Sequence, residues 1–182
     1  MNEKKGIEVL KNIETRRSVR KFKETQVPAE AVEQILRAGL FAPSGRSAQS
    51  PIMVVVREKE TLGRISALNG QVMGSDSDPF YGAPTLVVVF AKKERTTRVE
   101  DGSATICNML NAAHAIGVDS CWIHRAKEVF ETEEGKALME QWGVGEEYMG
   151  IGNCILGYCD GDYPVAKPRN EGRIIWDESV KK

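Results

Sequence analysis

Arg16-Arg17-Ser18-Val19-Arg20 sets three guanidiniums and a hydroxyl within five residues, and few tasks other than holding a phosphate require those groups together. Arginine presents a planar fork of donors that matches phosphate oxygens two at a time, which lysine does not. Ile7, Leu10 and Ile13 precede the stretch at roughly helical spacing, an apolar stripe expected to be buried, and Lys21-Phe22-Lys23 comes after it. The run therefore falls where a helix over about 6–15 gives way to an extended segment. A short basic cluster is equally at home on a solvated surface, so the reading depends on a second anchor. Lys167-Pro168-Arg169, just after Tyr163-Pro164, supplies one, with a proline fixing the spacing of its two cations. Two such clusters suggest a clamp closed by the fold.

The charge distribution fits a small anionic ligand. The formal net charge of the 182 residues is -1, yet residues 1–23 hold eight Lys and Arg against three Asp and Glu, leaving 17 against 23 in the remainder. A nucleic-acid binder would carry a basic domain or a long basic stripe, so no nucleic-acid partner is expected. At 41% hydrophobic and 28% charged residues the composition is that of one globular domain over 1–182, with 163–182 as a C-terminal arm. The longest apolar runs, Ile52 to Val56 and Leu86 to Ala91, are too short to span a bilayer, and Met1 to Lys5 has no apolar signal core. No membrane association and a cytoplasmic location are expected. Cys107, Cys121, Cys154 and Cys159 form no CxxC pair and read as buried thiols, and His114 and His124 alone make no zinc site.

Strands alternate with helices along the chain. A helix opens at Pro28 and buries Val32, Ile35, Leu36, Gly39 and Leu40, with Glu30 and Glu33 near its positive end. Pro43-Ser44-Gly45-Arg46-Ser47-Ala48-Gln49-Ser50-Pro51 is a loop of small polar residues, either a plain connection or a place where backbone donors approach a flat ligand. Ile52 to Val56 reads as a strand buried on both faces, Thr85 to Ala91 as a second, Ser120 to His124 as a third and Tyr148 to Tyr158 as a last. A helix is expected around 61–68. Ser103 to Ile116 is an apolar, central helix that buries Ile106, Met109, Leu110 and Ala113 and ends at Gly117. His114 on it reads as a hydrogen-bonded core residue, and residues 128–147, rich in glutamate, as a solvated outer helix. The pattern gives an α/β or α+β domain whose central sheet is covered on both sides.

The sequence resembles the FMN-dependent nitroreductase family in Arg16, Ser18 and Arg20, in Ala42 to Gln49, in Asn111 to Gly117, in Ser120-Cys121-Trp122-Ile123 and in Lys167 and Arg169. The motifs occur in the family's order and cover nearly the whole chain. The resemblance implies the nitroreductase fold, an α+β domain with a central mixed, mostly antiparallel sheet flanked by helices, in an intertwined homodimer with flavins at the subunit interface. It also implies that Arg16, Arg17, Ser18, Arg20, Lys167 and Arg169 hold the phosphate or ribityl chain of FMN. Pro43, Ser44, Gly45 and Gln49 would border the flavin ring and ribityl chain, and Trp122, Ile123 and His124 would pass over one face. Asn69 is expected to reach the flavin, and Phe80 and Tyr81 to line the substrate side. This chain reads Ser47-Ala48-Gln49-Ser50-Pro51 where the family often has Asn-Ser-Gln-Pro-Trp, which alters the ring contacts.

The activity so implied is a ping-pong transfer of electrons from NADH or NADPH to a nitroaromatic, quinone or similar flat aromatic acceptor. No side chain is expected to act as the catalytic acid or base, because the cofactor carries the chemistry. Two alternatives stay open: a dehalogenase-type flavoenzyme of the same fold, and a non-enzymatic nucleotide or anion sensor using the same arginines.

Overall fold

The computed structural model describes residues 3–177, so the tip of the expected C-terminal arm, 178–182, lies outside the described residues. In chain order the elements are α1 (Glu3–Thr15), α2 (Ala29–Leu40), a 3-10 turn (Gly45–Ser47), β1 (Ile52–Val56), α3 (Lys59–Met73), β2 (Thr85–Lys92), α4 (Arg98–Ala115), β3 (Asp119–Ile123), α5 (Ala126–Glu131), α6 (Glu133–Gln141) and β4 (Tyr148–Gly157). The strands form one antiparallel sheet in the order β1-β2-β4-β3. A parallel bridge between Ser18 and Ser120 extends it beyond β3. That bridge gives the sheet its mixed character and makes the arginine run the rail along its edge.

Period-two alternation in β2 divides the core. Leu86, Val88 and Phe90 face Ile65 and Leu68 of α3, Val129 and Phe130 of α5, and Leu138 and Met139 of α6. Val87, Val89 and Ala91 face Val32 and Ile35 of α2 and Ile106, Met109, Leu110 and Ala113 of α4. Helices therefore cover both faces, as the sequence pattern implies. α4 lies close to the sheet because Gly102 leaves no room for a side chain: a Cβ there would meet Ile151 of β4 at 2.7 Å.

Several elements depart from their expected extents or surroundings. The expectation that Ile52 to Val56 is buried on both faces fails because β1 is an edge strand, and Val55 stays exposed. The apolar stripe of α1 is helical as expected but uncovered, with Ile7 65%, Leu10 62% and Ile13 54% exposed, so the expected burial does not occur within one chain. Leu40 at the end of α2 is exposed too. α3 is longer than the expected core: the Glu58 carboxylate caps it by accepting from the amides of Glu60 and Thr61, and Gly74 ends it at φ 65°. The acidic stretch 128–147 forms two short helices, because the Thr132 hydroxyl accepts from the Gly135 amide and starts α6 afresh.

Candidate functional site

The arginine run begins where α1 ends. Arg17 folds its guanidinium back onto the helix terminus, donating through Nη1 to the carbonyls of Glu14 and Arg16 at 2.7 Å each. Terminal carbonyls lack partners within their helix, so Arg17 is engaged in ending α1. Arg16 points into the protein instead: its Nη1 is buried with no hydrogen-bond partner among the described residues. The Val19 amide then donates to the carbonyl of Ser120 at 3.1 Å, fixing the run along β3. Ser120 Oγ is likewise buried and unpartnered among those residues, while Arg20 stands exposed. An unpaired guanidinium donor is costly to bury, and an anion with several acceptor oxygens is the complement to this group.

The segment that leads to the late basic cluster lies beside the arginine run. Beyond β4 the chain pairs with residues 21–23, through the Lys23 amide to Tyr158 O at 2.9 Å and the Asp160 amide to Lys21 O at 3.0 Å. Lys21 and Asp160 form an exposed ion pair at 2.9 Å. Tyr163 Oη accepts from the Arg17 amide at 3.1 Å. Lys167 is four residues further on and exposed, hence within about 14 Å of Tyr163 along even a straight chain. Arg169 comes next, also exposed.

His114 of α4 holds this junction. Thr15 Oγ1 donates to Lys11 O at 2.7 Å, so it accepts from His114 Nε2 at 2.9 Å. The Nδ1 lone pair faces Tyr163 Oη at 3.4 Å, and the two rings stack at 6.2 Å. Burial lowers the imidazole pKa; Asp119 opposes the shift, and Arg16 and Arg17 reinforce it. Neutral imidazole protonated on Nε2 satisfies both contacts.

The small-residue loop lies elsewhere. Gly45 donates its amide to Asp101 Oδ1 in the first turn of α4 at 2.8 Å, and Ser44 Oγ accepts from the Gln49 amide at 2.9 Å. Pro43, Ser44 and Gln49 line a cavity of about 160 Å³ with Gly39, Met53 and Thr105. The loop is therefore anchored at one end of α4 and the arginine run at the other. From Asp101 to His114, at about 1.5 Å per residue, is roughly 20 Å. One chain does not bring these two groups of predicted residues together.

Of the third group, Trp122 lies across Gly152 on the α4 side, Ile123 is buried on the opposite face and His124 is exposed where β3 ends. Two expectations are corrected. Asn69 is fully buried and accepts from Asn153 Nδ2 at 3.1 Å inside the core, and Phe80 is fully buried, so neither faces a ligand in this chain. Tyr81 remains partly exposed. The Cys121 thiol is pushed up by burial, against the pull of Arg20, Ser18 and Arg16, and Cys154 is pushed up to about 12. Both are poor nucleophiles. A larger cavity, about 1260 Å³ between α3 and residues 75–84, shares no residue with the predicted set. Asp101 and Arg95 escaped the sequence reading because acids and bases before an apolar helix look like solvated surface.

An antiparallel sheet between two helical layers, with a cationic rail beyond its edge strand, defines an α+β ligand-binding domain. The chain belongs to the nitroreductase family, whose model matches residues 13–166. A protein of Archaeoglobus fulgidus, provisionally named NADH dehydrogenase/NAD(P)H nitroreductase, is 34% identical over 157 residues, covering 83% of this chain and 85% of that one. The crystal structure of a Bacteroides fragilis nitroreductase with bound FMN superposes with a TM-score of 0.86 at 30% identity, covering 93% of this chain and 98% of that one. An FMN-dependent nitroreductase of Clostridium difficile shares the fold, with a TM-score of 0.82 at 24% identity over 92% of this chain and 98% of its own.

Proposed function

We propose that this protein is an FMN-dependent NAD(P)H oxidoreductase acting as a cytoplasmic homodimer. The observation that carries the reading is the buried Nη1 of Arg16, which has no partner among the described residues, on the same short rail as Ser18 and Arg20. A phosphate monoester satisfies that donor, and the similar Bacteroides fragilis protein has FMN bound. With FMN bound, the chemistry supplied is hydride acceptance from NADH or NADPH and electron delivery to a nitroaromatic, quinone or similar flat acceptor.

The chain's own residues bind and orient. Arg16, Ser18 and Arg20 hold the phosphate, Arg17 keeps the end of α1 in place, and Lys167 and Arg169 close over the charged tail from the arm that Tyr163 starts. His124, exposed where β3 ends, and the strand backbone at Trp122 and Ile123 form the wall there, while the Ile123 side chain stays in the core. The loop at Pro43, Ser44, Gly45 and Gln49 comes from a second copy of the chain, because its own loop is roughly 20 Å along α4 from its own arginines. The exposed apolar residues of α1 and α2 support the same pairing, since surfaces of this kind are ordinarily covered.

Purified protein should be yellow, or become so with added FMN, and should lose its flavin absorbance under nitrogen when NADH or NADPH is added, regaining it with a quinone or nitroaromatic. Protein that ignores FMN would overturn the reading in favour of a flavin-independent anion binder, and bound flavin that NAD(P)H does not bleach would remove the donor half.

A further inference from the structure

We propose that Asp101 is a positioning residue whose buried carboxylate latches the 44–49 loop to α4 and so sets the edge that the loop offers to a ligand. The ligand half of this inference rests on the flavin reading above; the latch itself does not.

Asp101 is only 4% exposed. Its Oδ1 accepts from the Gly45 amide at 2.8 Å and its Oδ2 from Thr97 Oγ1 at 3.0 Å. On the other side of the same residue, Arg95 Nη2 donates to Gly45 O at 3.0 Å. Gly45 is thus gripped through both its amide and its carbonyl. The grip leaves no space, because a Cβ at Gly45 would run into the Thr97 side chain.

The backbone just beyond Gly45 is strained enough to require such a grip. Arg46, Ser47 and Gln49 all have left-handed backbones, with φ 56°, 52° and 48°. Residues with a Cβ avoid that region, and several of them close together persist only where the surroundings hold them. The bond from the Gln49 amide to Ser44 Oγ closes the loop on itself, but among the described residues the hydrogen bonds that tie it to the body of the protein run through Gly45. The side chains of Arg46, Ser47 and Gln49 are turned away from the core, all three being exposed. The latch therefore grips inward, and the groups it supports face outward. Asp101 also lies in the first turn of α4, where the helix dipole favours its negative charge.

Aspartate has the acceptors this geometry uses. Asparagine keeps Oδ1 for the Gly45 amide and turns an amide donor toward a hydroxyl that can accept it, whereas alanine leaves the Gly45 amide and Thr97 hydroxyl with no partner. The test is hydrogen-exchange mass spectrometry on flavin-free wild type, Asp101→Ala and Asp101→Asn, with FMN titration of each. Expected for Asp101→Ala are exchange about tenfold faster across residues 43–50 with the β2 and β4 amides unchanged, and an FMN Kd raised about tenfold. Asp101→Asn should stay within about threefold of wild type in both.

Loop exchange unaltered by Asp101→Ala overturns the latch, as does faster exchange that spreads equally into β2 and β4. An asparagine variant as damaged as the alanine variant overturns the hydrogen-bond account. A faster loop with an unaltered FMN Kd overturns the ligand half. Wild type that binds no FMN sinks the flavin reading, and the exchange ratio still decides the latch. If Asp101→Ala does not fold, Arg95→Leu, which removes the bond to the Gly45 carbonyl alone, takes its place with the same exchange readout.

Discussion

Arg16 and Arg17 are neighbours of one chemical type with opposite assignments. Arg17 is paired to two carbonyls at the end of α1, whereas Arg16 buries an Nη1 that has no partner among the described residues. Removing a half-buried guanidinium that carries one buried, unpaired donor relieves a desolvation cost, and removing a phosphate contact loses a charge-assisted hydrogen bond. Arg16→Met should therefore leave the flavin-free protein at least as stable as wild type by thermal melting while weakening FMN by about 1.5 to 3 kcal/mol in a fluorescence titration. Arg17→Ala should do the reverse, lowering the melting temperature with little change in FMN affinity. An Arg16 variant that melts lower without flavin and binds it normally would show that the guanidinium is structural. The sequence offers both arginines as ligands and gives no means of separating them, because which one turns inward depends on the backbone path set by Ser120.

At the scale of elements, the His114 contacts join the end of α1, the C-terminal end of α4 and the start of the arm at Tyr163. Its pKa is lowered from the 6.5 of an exposed imidazole, mainly by burial. Between the lowered folded value and 6.5 the unfolded chain binds more protons than the folded one, so acid favours unfolding. The contribution is complete above 6.5 and is lost as the pH falls through the folded value. Melting temperatures of the flavin-free protein between roughly pH 8 and 5 should fall on the acid side, and His114→Gln should flatten that step. A slope identical in the variant would assign the acid sensitivity to other groups. Periodicity made α2, α4 and the strands legible, since Ile106, Met109, Leu110 and Ala113 are all buried as their spacing requires. It failed where an apolar face has no cover in the same chain. The stripe on α1 states that Ile7, Leu10 and Ile13 share a side; it cannot state what lies against them. The onset of α4 was hidden for a related reason, because Arg98, Glu100 and Asp101 have the composition of a loop, and only the turn toward Gly45 makes Asp101 a core acceptor.

For the whole molecule, the decisive quantity is the length of α4. Its first turn holds the loop and its last turn holds the arginine rail through His114, roughly 20 Å apart, so a site using both takes one from each of two chains. A two-fold pair with α4 helices running in opposite directions brings one chain's loop to the other's arginines and completes two equivalent sites. This arrangement predicts complementation. A chain carrying Arg16→Ala with Arg20→Ala and a separate chain carrying Gly45→Val, whose new side chain collides with Thr97, should each lose tight FMN binding as homodimers. Unfolded together in equal amounts and refolded, they should form heterodimers having one site with both lesions and one with neither. Random pairing then restores about a quarter of the wild-type flavin complement at wild-type affinity, read by titration and by the mass of the complex in solution. Sites built within single chains would give no recovery, since every chain in the mixture would still carry its own lesion. That outcome would require one chain's loop and rail to reach a single flavin across the roughly 20 Å length of α4.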